Sequence, residues 1–134
     1  MKAKVTWLEE MRFEGLSESG HKITLDGTNP GQGPSPMEAV LLGAGGCSAI
    51  DVVSILDKSR QQLTGCEVEL AAVRAENPPR VFTSINMHFI VTGHELSEKH
   101  VARAISLSMD KYCSVMKMLD KALDASSSYE IREA

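Results

Sequence analysis

The chain has 134 residues, of which 43% are hydrophobic and 24% are charged, and its formal net charge is −4. This length and composition predict one globular domain over residues 1–134, large enough to bury a hydrophobic core. The acidic balance argues against nucleic acid or an anionic membrane as the main partner. The N-terminus carries lysines but no apolar segment of the kind found in signal peptides, which predicts a cytoplasmic protein.

Three short strands are predicted near the N-terminus, at 3–8, 11–16 and 21–25. The stretch 26–34 is rich in Gly and Pro and predicts a loop. Residues 1–25 are therefore expected to form a small β unit, which this loop separates from the rest of the chain.

A long central helix is predicted over residues 35–60. Ser35 is a favourable N-cap, Pro36 fits the first helical position, and Glu38 stands three residues after the serine. Serine and glutamate at this spacing predict a capping box, in which each side chain bonds the backbone N–H of the other residue.

The first half of this helix carries no charge from residue 39 to residue 50, which predicts a helix buried on all sides. An uncharged run of this length is too short to cross a bilayer, which takes about 20 residues. Gly43, Gly45 and Gly46 each lower helix propensity by roughly 1 kcal/mol relative to alanine. We expect them to allow close approach of another backbone, and a second copy of the helix is the simplest partner.

The rest of the chain predicts two strands, two helices and a last strand. The elements are a break at 63–65, a hairpin over 66–91 with strands 66–75 and 81–91, a helix from Ser97 to 109, an interruption at 111–113, a helix from Ser114 to 123, a loop at 126–128 and an edge strand at 129–132. The core positions predicted in the second hairpin strand are Val81, Thr83, Ile85, Met87, Phe89 and Val91. Strands cluster rather than alternate with the helices at 97–123, which predicts an α+β fold with mostly antiparallel pairing.

Cys47, in the middle of the apolar helix, is the first candidate for chemistry. It is either a thiolate nucleophile at the bottom of an apolar pocket or a small buried hydrophobe. Asp51 lies one helical turn further on. A carboxylate close to a thiol disfavours the thiolate, so Asp51 either holds a cation near the sulfur or begins a polar face continued by Ser54 and Asp57.

Cys113 is the second candidate. With Ser114 as N-cap, Cys113 lies just before a helix N-terminus, where partial positive charge favours a thiolate, and Lys111 is close in sequence. The alternative is a buried thiol at a helix junction. Cys66 falls in register with apolar strand positions and is interpreted as a core thiol. Spacing does not choose among the three possible cysteine pairings, and the histidines show no metal-ligand spacing, so neither a metal nor another cofactor is predicted.

Two segments resemble the OsmC/Ohr family of osmotically inducible and organic hydroperoxide resistance proteins: SPMEAVLLGAGGCSAID and, later in the chain, YCSVMKML. The resemblance implies an OsmC-like α+β fold, with antiparallel sheets packed around a long buried central helix. It further implies an intertwined homodimer with two sites at its interface. By position, Cys47 matches the peroxidatic cysteine of the family and Cys113 the resolving one.

The chemistry implied by the resemblance is a defence against oxidative stress. A Cys47 thiolate attacks the O–O bond of an organic hydroperoxide, which releases an alcohol and leaves a sulfenic acid. Cys113 condenses with the sulfenic acid to a disulfide, and an external thiol or dithiol reduces that bond.

Two departures from the family pattern give an alternative function. Met37 stands where the family has a glutamate that serves the reactive cysteine. Glu38, one residue later, is the candidate for that role. It lies nine residues before Cys47 and points to the opposite side of an ideal helix, so a distorted first turn would have to bring it to the site. Arg12, the single arginine before the helix, is the candidate for the family's activating arginine and would reach a neighbouring subunit's Cys47, with Asp51 as a second anchor. The alternative is a non-enzymatic dimer that binds a small apolar ligand in the same pocket.

Overall fold

The computed structural model describes residues 1–134, with six strands, three α-helices and one π-helical turn. The fold is α+β, with two three-stranded sheets and one long helix. The chain divides into two compact units, Met1–Leu42 and Gly43–Ala134.

The first unit contains the predicted three-strand sheet. Strands β1 (Ala3–Glu9), β2 (Arg12–Ser17) and β3 (Lys22–Asp26) pair antiparallel in the order β1-β2-β3. Each strand ends one residue later than predicted. Met11 lies outside β2 because Glu10, with φ of 50°, makes the turn from β1.

The predicted loop after β3 folds back on its own carboxylate. The buried Asp26 side chain accepts backbone N–H groups from Thr28 at 2.8 Å and from Gln32 at 2.9 Å. These two bonds hold the pKa of Asp26 below its usual value. Glycine is required at position 33, where a Cβ would lie 2.5 Å from the Thr24 carbonyl oxygen.

Helix α1 runs from Pro36 to Lys58 and begins with the predicted capping box. The N–H of Glu38 donates to the Ser35 hydroxyl at 3.2 Å, and the N–H of Ser35 donates to Glu38 Oε1 at 3.0 Å. The backbone N–H of Ser35, and to a smaller extent the Ser35 side chain, lower the pKa of Glu38. The capping-box prediction is confirmed.

The prediction that α1 is buried on all sides is wrong for a single chain. Only one stripe of the helix is buried: Ala44, Gly45, Ser48, Val52 and Leu56. On other faces Leu42, Ile50 and Val53 are 64%, 71% and 41% exposed. By length and composition α1 would also pass as a membrane-spanning helix, a test that core helices of soluble proteins pass as well.

The sheet of the second unit has a mixed topology. Strands β4 (Gln62–Arg74) and β5 (Phe82–His94) form the predicted antiparallel hairpin. The predicted break at 63–65 is instead an irregular part of β4, which has an extra residue between Leu63 and Gly65. Strand β6 (Asp124–Glu133) includes residues 126–128, so the loop predicted there is wrong. It pairs parallel with β5, whereas the other three strand pairings are antiparallel, in agreement with the mostly antiparallel pairing predicted.

One irregularity changes which β5 residues enter the core. Arg74 pairs with Phe82 while Val73 pairs with Ser84, so Thr83 is an extra residue on β5. This bulge turns Phe82 inward and leaves Val81 and Thr83 exposed, contrary to the prediction for those two positions. The other four predicted core residues are buried: Ile85, Met87, Phe89 and Val91.

The helical segment after β5 has three parts. Helix α2 (Glu98–Leu107) is capped by Ser97, as predicted, and passes directly into a π turn over Ser108–Tyr112. Helix α3 (Ser114–Leu119) follows. The predicted interruption is therefore this π turn and Cys113, and α3 ends four residues before position 123.

The three glycines of α1 have different surroundings. A Cβ at position 45 would lie 2.7 Å from Leu70 Cδ1 on β4, whereas a Cβ at Gly43 or Gly46 would meet nothing within 4 Å. Gly45 therefore serves packing of the helix on its own chain, which corrects the expectation that it faces a partner helix. Gly43 and Gly46 remain free for that role.

We expect Gly45→Val to lower the free energy of unfolding by about 1–3 kcal/mol, because the new side chain overlaps Leu70. Leu70→Ala in the same chain should recover part of this loss, since it removes the methyl groups that the valine meets. Urea unfolding of the parent, both single variants and the double variant measures the coupling. If the losses of unfolding free energy in Gly45→Val and Leu70→Ala simply add in the double variant, the predicted overlap between position 45 and Leu70 is wrong.

Candidate functional site

The second unit brings the two predicted chemical cysteines together. Cys47 lies on α1 and is half-buried, and Cys113 lies between the π turn and α3 and is fully buried. Both are free thiols. The Cys113 Sγ is 4.0 Å from the carbonyl oxygen of Ala44, one turn before Cys47 on α1. The Cys47 side chain is close enough to help raise the pKa of the Cys113 thiol.

Cys113, not Ser114, is the N-cap of α3. Its sulfur accepts the backbone N–H of Met116 at 3.4 Å. Local sequence favours the serine, but the π turn ends at Tyr112 and leaves Cys113 with the extended backbone that an N-cap requires.

Burial raises the pKa of the Cys113 thiol to about 11. The Met116 N–H opposes this rise, while the Cys47 side chain and the Asp51 charge add to it. The prediction that a helix N-terminus favours a Cys113 thiolate is therefore wrong in this chain, because one N–H of a six-residue helix does not compensate for burial. Cys113 is a protonated thiol at neutral pH.

Asp51 is bonded to a hydroxyl that the sequence did not single out. Ser108 donates to Asp51 Oδ2 at 2.9 Å, and its oxygen lies 2.7 Å from the hydroxyl of Ser48. Both serines are fully buried. The available signal was weak: serines inside apolar stretches of two helical segments, each of which needs a partner once buried.

Asp51 also lines an open cleft of about 650 Å³, together with Ser54, Lys58 and Arg103. No Lys, Arg or His nitrogen of the chain lies within 4.0 Å of its carboxylate. This geometry supports the interpretation of Asp51 and Ser54 as the start of a polar face. Asp57 lies outside this cleft.

The other two predicted site residues lie in the first unit and have partners there. The Arg12 guanidinium bonds Glu9 and Gln32, while its Nε is buried without a hydrogen-bond partner. Glu38 is the acid of the capping box. The structure therefore gives both side chains local roles within that unit.

Cys66 lies on β4, half-buried, and burial raises the pKa of its thiol. This environment agrees with its interpretation as a structural thiol. No group of three or more His, Cys, Asp or Glu side chains is arranged to hold a metal ion.

We expect the stability of the reduced protein to depend on Cys113 at alkaline pH. An unfolded thiol ionises near pH 8.5, whereas the folded Cys113 thiol ionises near 11. Its contribution to stability is therefore complete below pH ~8.5 and is lost as the pH rises toward about 11. Urea unfolding across this range, with a phosphine reductant, should show a steeper fall for the parent than for Cys113→Ala. Parallel curves would contradict the assignment.

Comparison with known proteins identifies the family of this chain. The model of the family described as OsmC-like protein matches residues 28–127. Protein YhfA of Escherichia coli (strain K12) is 56% identical over 131 residues, which cover 98% of each chain. A hypothetical protein from Aquifex aeolicus VF5 is 28% identical, with a TM-score of 0.90 over 99% of this chain and 96% of that one. An organic hydroperoxide resistance protein OsmC from Legionella pneumophila is 14% identical and shares the fold, with a TM-score of 0.72 over 96% of this chain and 95% of that one. The family resemblance read from the two cysteine segments is thus confirmed, and the chain belongs to the OsmC-like protein family.

Proposed function

We propose that this protein is a thiol-dependent peroxidase that reduces organic hydroperoxides in the cytoplasm. The observation that carries the proposal is the proximity of two thiols: the fully buried Cys113 sulfur lies 4.0 Å from the Ala44 carbonyl oxygen, one helical turn from the half-buried Cys47. Two thiols held together as free groups suit a reducing compartment and a disulfide cycle. Membership of the family agrees, because relatives in it carry the name organic hydroperoxide resistance protein.

Cys47 is assigned the peroxidatic role and Cys113 the resolving role. The more accessible sulfur attacks the hydroperoxide, whose O–O bond breaks to give an alcohol and a Cys47 sulfenic acid. Cys113 suits the second step, because its raised pKa keeps it a thiol until a sulfenic acid forms beside it. An external thiol or dithiol then reduces the disulfide and restores both thiols.

The proposed active form is a homodimer. Large apolar side chains remain exposed along α1, with Ile50 at 71% and Leu42 at 64%. Gly43 and Gly46 leave open space beside them, which a second helix can enter. An exposed apolar stripe of this kind is characteristic of a surface that another molecule covers.

The dimer also offers a source for the cation that Asp51 lacks within its own chain. We assign this role to Arg12 of a neighbouring subunit, whose buried Nε has no partner in the single chain. Glu38 is retained as a candidate that holds this arginine, although its carboxylate is engaged in the helix cap.

Ile50→Lys should convert a dimer into a monomer, because it introduces a charge into the apolar stripe of α1. Val73→Lys is the matched control, since Val73 is a similar β-branched residue that is 59% exposed on β4. Light scattering coupled to size exclusion measures the mass of each protein. A monomeric parent at micromolar concentration would exclude the homodimer.

Purified protein with a dithiol and cumene hydroperoxide should consume the hydroperoxide catalytically. Cys47→Ser should reduce consumption to the rate without protein, because it removes the sulfur assigned to attack the O–O bond. Cys113→Ser should still react once and hold a sulfenic acid, which dimedone labels for mass spectrometry. Cys66→Ser serves as the control thiol substitution and should retain turnover.

Failure of the parent protein to exceed Cys47→Ser with alkyl, aryl and lipid hydroperoxides would overturn the peroxidase proposal. The second candidate, a ligand-binding dimer, rests on an apolar cleft of about 540 Å³ beside α1, lined in part by Ile50, Val53 and Leu63. A thermal-shift series with fatty acids separates the two, since ligand binding would survive Cys47→Ser.

A further inference from the structure

The π turn begins at Ser108, and Cys113 is the residue that directly follows it. The backbone N–H of Cys113 donates to the carbonyl oxygen of Ser108 at 2.9 Å, with the five-residue spacing of a π-helix. The position of the Cys113 backbone therefore follows the position of Ser108.

The Ser108 side chain is fixed to α1 at two points. Its oxygen lies 2.7 Å from the Ser48 hydroxyl and 2.9 Å from Asp51 Oδ2. Ser48 and Ser108 are fully buried, so water does not compete for these bonds. We refer to Ser48, Asp51 and Ser108 as the serine–aspartate latch.

The latch attaches to α1 at the turn that carries the other thiol. Ser48 follows Cys47 directly, and Asp51 lies three residues further along, on the same side of the helix as Ser48. The latch therefore joins the helical turn that begins at Cys47 to the π turn that directly precedes Cys113. Few other polar contacts tie these two segments together: the Ser48 hydroxyl lies 4.0 Å from Met109 Sδ, and the Cys113 sulfur lies 4.0 Å from the Ala44 carbonyl oxygen.

We propose that the serine–aspartate latch sets how readily Cys47 and Cys113 close to a disulfide, with Ser108 as the principal positioning residue. The inference rests on the proposed function for its physiological reaction, because closure follows formation of the sulfenic acid. The latch itself takes no part in the attack on the hydroperoxide.

The bond changes of closure involve only the two sulfurs. Cys113 Sγ attacks the Cys47 sulfenic sulfur, the S–S bond forms, the S–O bond breaks, and the thiol proton leaves with the hydroxide as water. The Cys113 sulfur is oxidised as the Cys47 sulfur is reduced from the sulfenic level. The rate depends on how well the two sulfurs are aligned, and alignment is what a positioning residue supplies.

Asp51 has a second effect through its charge. It is one of the smaller causes that raise the pKa of Cys113, after burial. The charge adds to the effect of burial in keeping Cys113 protonated, and so helps to delay closure by oxidants other than the Cys47 sulfenic acid beside it. The hydrogen bond and the charge of Asp51 can be separated by substitution.

The effective concentration of the two thiols, measured in glutathione redox buffers, tests the latch without any hydroperoxide. Ser108→Ala should lower it about tenfold, the factor that corresponds to one lost buried hydrogen bond. Ser106→Ala is the matched control, because the exposed Ser106 hydroxyl bonds Asp110 at the surface. This control should match the parent.

Two substitutions at position 51 distinguish positioning from charge. Asp51→Asn keeps an oxygen acceptor for Ser108 and should change the effective concentration by less than about threefold. It should also move the pH profile of Cys113 alkylation to lower pH, because it removes a nearby negative charge. Asp51→Ala removes the acceptor and should give a loss between those of Asp51→Asn and Ser108→Ala.

Circular dichroism and urea unfolding identify which variants retain the fold. If Ser108→Ala does not fold, Asp51→Ala carries the test, since Asp51 is only half-buried. Equal effective concentrations in the parent and in every folded latch variant would overturn the proposal. A latch effect in glutathione buffers, in a protein without hydroperoxide turnover, would overturn only the proposed peroxidase function.

Discussion

The site depends on one buried contact, the hydroxyl pair of Ser48 and Ser108. A hydroxyl that loses water without gaining a partner costs a few kcal/mol, roughly 1–3 on the scale of protein substitutions. Ser48 therefore requires Ser108, which is itself bonded to Asp51 as well, and the contact aligns the π turn with α1. Apolar packing alone tolerates small shifts between neighbouring helical segments. A directional hydrogen bond, such as the one at 2.7 Å between Ser48 and Ser108, does not tolerate such shifts. It therefore fixes the position of Cys113 more closely than apolar packing would.

The exposed apolar face of α1 and the buried stripe of the same helix have separate functions. The stripe contacts other parts of its own chain: Gly45 allows Leu70 of β4 to approach the helix backbone, and Ser48 bonds Ser108. The exposed face, with Ile50 and Leu42, has no cover within its own chain. A continuous apolar sequence therefore encodes two surfaces, and only the first is satisfied by folding of a single subunit.

The sequence was sufficient wherever the determinant was local. Ser35 and Glu38 predicted the start of α1 because a capping box involves only residues three apart. The three N-terminal strands were also predicted to within one residue. The thiol pair was predicted by resemblance rather than by spacing, which left all three pairings open.

The features that were missed depend on contacts distant in sequence. Parallel pairing of β6 with β5 has no local signal, and the Ser-rich start of β6 has the composition of a loop. The bulge at Thr83 and the π turn are likewise set by the partners of those residues. Ser48 and Ser108 have no pattern in common, because their bond spans 60 residues.

The parallel pairing of β5 with β6 also orders the assembly of the protein. Strand partners such as Asn86 and Ser126 are 40 residues apart, and the segment between them contains the π turn and Cys113. Closing so long a connection costs chain entropy before any contact repays it, so this pairing belongs to the slow, non-local part of folding. Because Cys113 lies inside this connection, we expect it to reach its place beside Cys47 late in folding. The capacity to form the proposed disulfide is then expected only of the completely folded subunit.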